Sequence, residues 1–147
     1  MAGVRCHMKR SLALFVVLLM AFPAWATPAG DDFYLAERYR SKGLFGAALV
    51  AYQSAADKRH PIAHHWVGVF LFEGMGADKD VSAAIRHFTI AANQGVTGSM
   101  VYLANIFLSA NGTYRDCKAG EKWVKAFSSG SVPEEWAGRI ESCENGT

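Results

Sequence analysis

The sequence predicts an all-α fold, a stack of antiparallel helix hairpins. Three observations carry that reading. The first is a period of about 36 residues: Ala47-Ala48, Tyr52 and Ala55-Ala56 return as Ala83-Ala84, Phe88 and Ala91-Ala92, and again as Ala119, Trp123 and Ala126. The second is apolar spacing of three and four inside each unit, the mark of an amphipathic helix. The third is punctuation by capping and turn residues at matching places. A supersecondary unit repeated at this period buries its apolar face only against its neighbours, which is the logic of a solenoid.

Residues 1–26 are expected to stand outside the fold. Arg5, Lys9 and Arg10 form a basic segment, Leu12 to Phe22 is an unbroken apolar run, and Pro23 ends it before Ala24-Trp25-Ala26. This pattern predicts a secretory signal peptide cleaved after Ala26. A membrane anchor would need about 20 apolar residues, more than this run offers. The mature chain is then 27–147. Without Arg5, Lys9 and Arg10, the fifteen basic residues fall to twelve against thirteen acidic ones. The basic face that nucleic acid would require is not present in that balance. The expected localisation is periplasmic or secreted, with no membrane span after cleavage.

Unit one covers about 31–60. Asp31-Asp32 can cap a helix carrying Phe33, Tyr34, Ala36 and Tyr39, which Ser41-Lys42-Gly43 ends. A second helix over about 45–58 carries Ala48, Tyr52, Ala55 and Ala56. Small residues on that stripe let helices approach closely, and the ring fills the gap beside them. Unit two, about 61–98, opens at Pro61, a residue suited to a first helical turn. Ile62 to Phe72 is strongly apolar, and a loop with Gly74 and Gly76 follows. Asp80 or Ser82 then caps a helix with Ala84, Ile85, Phe88, Ala91 and Ala92, and Gly95 stops it. Unit three, about 99–130, has a first helix from Ser99 to Leu108, a loop from Asn111 to Asp116, and a second helix ending at Gly130. A capping helix over about 133–143 closes the chain. Ser131 and Glu134 have capping-box spacing, with Pro133 in the first turn. Trp136, Ile140 and Cys143 are its few apolar residues.

Cys117 and Cys143 are the cysteines left after cleavage. In an oxidising compartment such a pair forms a disulfide, here closing a loop worth about 3 kcal/mol. Two reduced core thiols are the alternative. Two sulfurs without a nearby histidine do not make a tetrahedral metal set.

Unit two carries a resemblance. The run from Gly68 through Gly74, Gly76 and Asp80, followed by Ala84, Phe88, Ala91-Ala92 and Gly95, is similar to the Sel-one-like repeat. His87-Phe88 stands where that family usually has Trp-Tyr. Unit three keeps Gly112, Arg115-Asp116, Ala119, Trp123, Ala126 and Gly130, with one residue lost before its second helix. Unit one resembles the tetratricopeptide relative, because its inter-helix loop is about four residues shorter. The resemblance covers about 31–130. It implies a short right-handed α-solenoid whose first helices line a concave, protein-binding face. Tyr34, Tyr39, Trp66, Phe70 and Tyr102 lie on first helices and are the candidate partner-binding residues. Each competes with a core role. Exposed Trp and Tyr are the residues that dominate binding energy when a partner is present.

No enzyme or cofactor is expected. His60, His64 and His65 cluster before Trp66, but the glutamate of a zinc-protease helix is missing. Ser128, Ser129 and Ser131 lie at a helix end, and Ser82 begins no Ser-x-x-Lys motif. The expectation is therefore a non-enzymatic, exported binding module. The resemblance implies, most narrowly, an immunity protein that neutralises a periplasm-acting type VI secretion effector such as a phospholipase. An envelope adaptor or regulator of a membrane or cell-wall enzyme is the alternative. A secreted hydrolase or β-lactam-binding protein is the third reading. The protein is expected to be a monomer or a weak dimer, since the stack has an open end.

Overall fold

The computed structural model describes residues 29–109 and 112–146. The expected signal peptide and the first loop residue Asn111 lie outside that range. Seven helices occur among the described residues: α1 Ala29–Ser41, α2 Phe45–Asp57, α3 Ala63–Glu73, α4 Val81–Asn93, α5 Thr97–Phe107, α6 Cys117–Phe127 and α7 Glu134–Asn145. Each packs on the next in chain order, so α1–α2, α3–α4 and α5–α6 are hairpins and α7 packs on α6. The fold is a short helical solenoid.

Local chemistry sets the helix ends. The Asp80 carboxylate accepts from the Ala83 N–H at 2.8 Å and the Asp116 carboxylate from the Ala119 N–H at 3.0 Å, so α4 and α6 start on the same device. Gly95 turns left-handed after α4, at φ +87°. The expected capping box at α7 does not form. The Ser131 hydroxyl donates back to the Ser128 carbonyl, and α7 begins at Glu134 behind an extended Pro133. The helix also runs on to Asn145, two residues past the predicted end.

Two buried clusters run through the stack. One holds Ala36, Ala48, Tyr52, Ala55, Val67 and Phe70; the other holds Ala84, Phe88, Leu103, Val124, Trp136 and Cys143. Trp66, Leu71 and Met75 pack against both and join them. Gly68 is required here: a Cβ on it would come within 2.7 Å of the Phe88 ring. α3 and α4 could not close to this distance around an alanine without displacing that ring.

The register of unit three differs from the expected one. Asp80 and Asp116 both cap their helices, so α6 follows α4 at a full 36-residue offset. No residue is lost before it. Val124, fully buried, therefore succeeds Tyr52 and Phe88, while Trp123 succeeds His87 and Ala126 is exposed. Sequence comparison had matched ring with ring; the cap decides otherwise. Cys117 and Cys143 form the disulfide, with Cα atoms 5.8 Å apart, tying the first turn of α6 to the end of α7.

Candidate protein-binding surface

The first helices α1, α3 and α5 meet their hairpin partners through small residues. Ala36 and Ala104 are fully buried, and Gly68 touches Phe88. Aligning these three places Tyr34, Trp66 and Tyr102 at one position. The loop between α1 and α2 is the shorter one, so the α1-to-α3 offset is smaller than the α3-to-α5 offset.

At this position the internal junctions repeat one arrangement. The Trp66 ring stacks on Tyr52 of the preceding hairpin, centroids 5.9 Å apart and planes 14° apart. The Tyr102 ring stacks on Phe88 of the preceding hairpin at 4.6 Å and 13°. Both Trp66 and Tyr102 remain half-buried, each with one part in the core and one part in solvent. Tyr34 has no preceding hairpin among the described residues and is 71% exposed.

Charged groups decorate the first of these junctions. The Arg40 guanidinium lies 4.8 Å above the Trp66 ring and donates to Glu37 Oε2 at 2.6 Å. The Tyr52 hydroxyl donates to Glu37 Oε1. Burial alone would raise the Glu37 carboxyl, but the bonds from Arg40 and Tyr52 outweigh it and hold the group below its usual range. The Tyr52 phenol is pushed well up, by burial first and then by its bond to Glu37. The node stays ionic at neutral pH and fixes the Arg40–Trp66 pair in place.

Of the other candidates, Tyr39 is half-buried against the first cluster. Phe70 is withdrawn from the set: it is 0% exposed, edge-on to Tyr52 at 5.3 Å and to Phe45 at 6.1 Å. Its side of α3 points between the hairpins rather than outward.

The histidines form contacts that spacing did not reveal. His60 precedes α3 and stacks on Phe33 at 4.1 Å, so it shares no helix face with His64. His64 and His87 meet through their Nδ1 atoms at 3.0 Å. His65 Nδ1 lies 2.9 Å from the hydroxyl of Ser99, which is fully buried. A hydroxyl without access to solvent cannot attack a substrate, so this pair acts as packing. The 23 residues between His64 and His87 hide the contact from any short motif. The hairpin register could have found it, since α3 and α4 run antiparallel. Among the described residues, no three His, Cys, Asp or Glu side chains come together as a metal set. No described helix is long and apolar enough to cross a membrane.

Comparison with known proteins adds one likeness. The chain is similar to chitin synthase regulatory factor 3 of Schizosaccharomyces pombe. The two are 26% identical over 140 residues, covering 90% of this chain. The chain spans only 15% of that relative's length. No family profile matches the chain, and no solved structure does.

Proposed function

We propose that the chain is an exported, non-enzymatic protein-binding module of the Sel-one-like repeat type. The observation that carries this reading is the pair Trp66 and Tyr102. Each ring is held at one face by stacking and remains only half-buried. An aromatic side chain ordered in advance loses little entropy when a partner covers it. Arg40, itself paired with Glu37, lies over Trp66 and holds that ring in place.

The partner is a protein, and in the narrower form of the proposal a toxin. The chain would be an immunity protein binding a periplasm-acting type VI effector such as a phospholipase. A regulator or adaptor of an envelope or cell-wall enzyme is the second reading. It is favoured by one observation: the relative is named as a regulatory factor for a synthase.

Affinity capture from periplasmic extract tests the reading. Wild type should retain a specific effector or envelope enzyme. Trp66→Ala combined with Tyr102→Ala should lose it by at least about 100-fold, as removal of two hot-spot rings does. Circular dichroism checks that the variant keeps its helices. Deletion of the gene should sensitise cells to the effector under the immunity reading, and disturb the envelope enzyme under the other. Turnover of nitrocefin or a simple ester by purified protein would overturn both.

A further inference from the structure

The outer face of α1 has a charge arrangement that the internal junctions lack. Asp31, Tyr34, Leu35 and Arg38 lie along one stripe of the helix, at i, i+3, i+4 and i+7, and all four are exposed. The equivalent positions of α3 are Ala63, Trp66, Val67 and Phe70; those of α5 are Ser99, Tyr102, Leu103 and Ile106. In α3 and α5 this stripe is where the preceding hairpin packs. Ala63, Val67, Phe70, Ser99, Leu103 and Ile106 are all buried there. α1 keeps the central apolar pair but carries an acid at one end and a base at the other. A hairpin stacked in the internal manner would bury both charges against an apolar helix, which is costly.

A second α1, antiparallel and related by a two-fold axis, removes that cost. The axis passes between Tyr34 and Leu35. Tyr34 of one copy then meets Leu35 of the other, and Asp31 meets Arg38 at both ends. A surface complementary to itself under a two-fold rotation is the signature of an isologous interface. The neighbouring groove between α1 and α2, about 470 Å³, extends the apolar area. Its wall includes Val50, 66% exposed, where the equivalent positions of α4 and α6 carry Arg86 and Lys122. At the far end α7 packs on α6 and presents Glu134, Glu135, Glu141 and Glu144 to solvent, a face without the paired acid and base of the α1 stripe.

We propose that this α1 stripe is a homodimer interface in which two copies pair antiparallel through Tyr34 and Leu35, flanked by two Asp31–Arg38 ion pairs. One helix pair with two rim ion pairs is a small interface, so the dimer is weak and loosened by salt.

Sedimentation equilibrium of the full chain tests this at low ionic strength. Wild type should be dimeric at about 100 μM, a concentration above the micromolar dissociation constants typical of weak pairs. Asp31→Arg and Arg38→Asp, each at an exposed site, should separately weaken the dimer by at least about tenfold through like-charge contact. The double variant Asp31→Arg with Arg38→Asp should recover wild-type affinity. Mixing the two single variants should give a heterodimer stronger than either homodimer. A monomeric wild type would overturn the proposal and leave the face to a helix of another protein. So would a dimer indifferent to the single variants, or a double variant that fails to recover.

Discussion

The two internal junctions of the stack and its terminal one are built on different physics. Between hairpins one and two, and again between two and three, a first-helix ring lies flat on a second-helix ring: Trp66 on Tyr52, Tyr102 on Phe88. Between hairpin three and α7 that arrangement is gone. The second-helix position belongs to Val124, which offers no ring face. Trp136 of α7 instead sits edge-on to Phe127 at 5.3 Å, with Arg139 4.5 Å over its ring, and the Cys117–Cys143 bond holds the two helices. A stack of small units gains its stability from neighbour contacts. At the α6–α7 contact no ring lies flat on a ring, and a covalent tie takes the place of that stack.

The largest effect should come from removing a junction ring. Phe88→Ala empties a fully buried site against Gly68 and Tyr102 and should cost about 3–5 kcal/mol. Stability of that size is a large share of what a small domain has. Urea denaturation should show a midpoint displaced far to the left, or no folded baseline. A loss under about 1.5 kcal/mol, the range of a tolerated core swap, would mean the ring stack does not hold the junction.

Breaking the terminal tie should cost less and act locally. Cys117→Ser with Cys143→Ser removes a loop constraint worth about 3 kcal/mol. Hydrogen exchange should rise across α7 while α1 to α4 keep their protection. Equal loosening of every helix would show that the bond stabilises the whole stack, and would erase the distinction between the two kinds of junction.

The sequence made the hairpins legible because the signals were local and redundant. Capping aspartates open the second helices of units two and three, paired alanines mark those of units one and two, and a left-handed Gly95 ends α4; each is a short-range device. The Cys117–Cys143 pairing was legible for a different reason, since few cysteines leave few choices. Unit three was misread because Trp123 matched Phe88 in chemistry while Val124 matched it in space. The cap at Asp116 was the better guide, since it fixes where the helix starts. Phe70 was misassigned because a first helix has both an outward face and a junction face, and apolarity does not separate them. The links from Glu37 to Tyr52 and from Arg40 to Trp66, and the His64–His87 contact, have no short motif, and only the hairpin register points to the last of them. All three join different helices, and long-range geometry decides them.

Acid should discriminate between the two kinds of junction with the smallest effect. The histidines of the described structure all sit beside the first two hairpins: His60, His64 and His65 at α3, and His87 on α4. Burial lowers each of them below the ordinary value of 6.5. At His87, burial comes first, and His64 and Arg86 add to it, while Asp57 opposes. A histidine kept neutral by folding costs nothing above its unfolded pKa, where both states are neutral. As pH falls below about 6.5 the unfolded chain takes up protons that the folded chain resists, so stability declines. Glu37, held low, adds its own loss only below the ordinary carboxylate value of 4.5. Between pH 7 and 5 the decline therefore belongs to the histidines. Thermal melts over that window should show a falling midpoint, and His87→Gln should flatten the slope by removing a group whose protonation burial and His64 both oppose. Exchange should loosen α3 and α4 before α7, because the bond at the far end does not titrate. If α7 loosened first, or the slope survived His87→Gln unchanged, the ring-stacked junctions would not be the acid-sensitive part of the molecule.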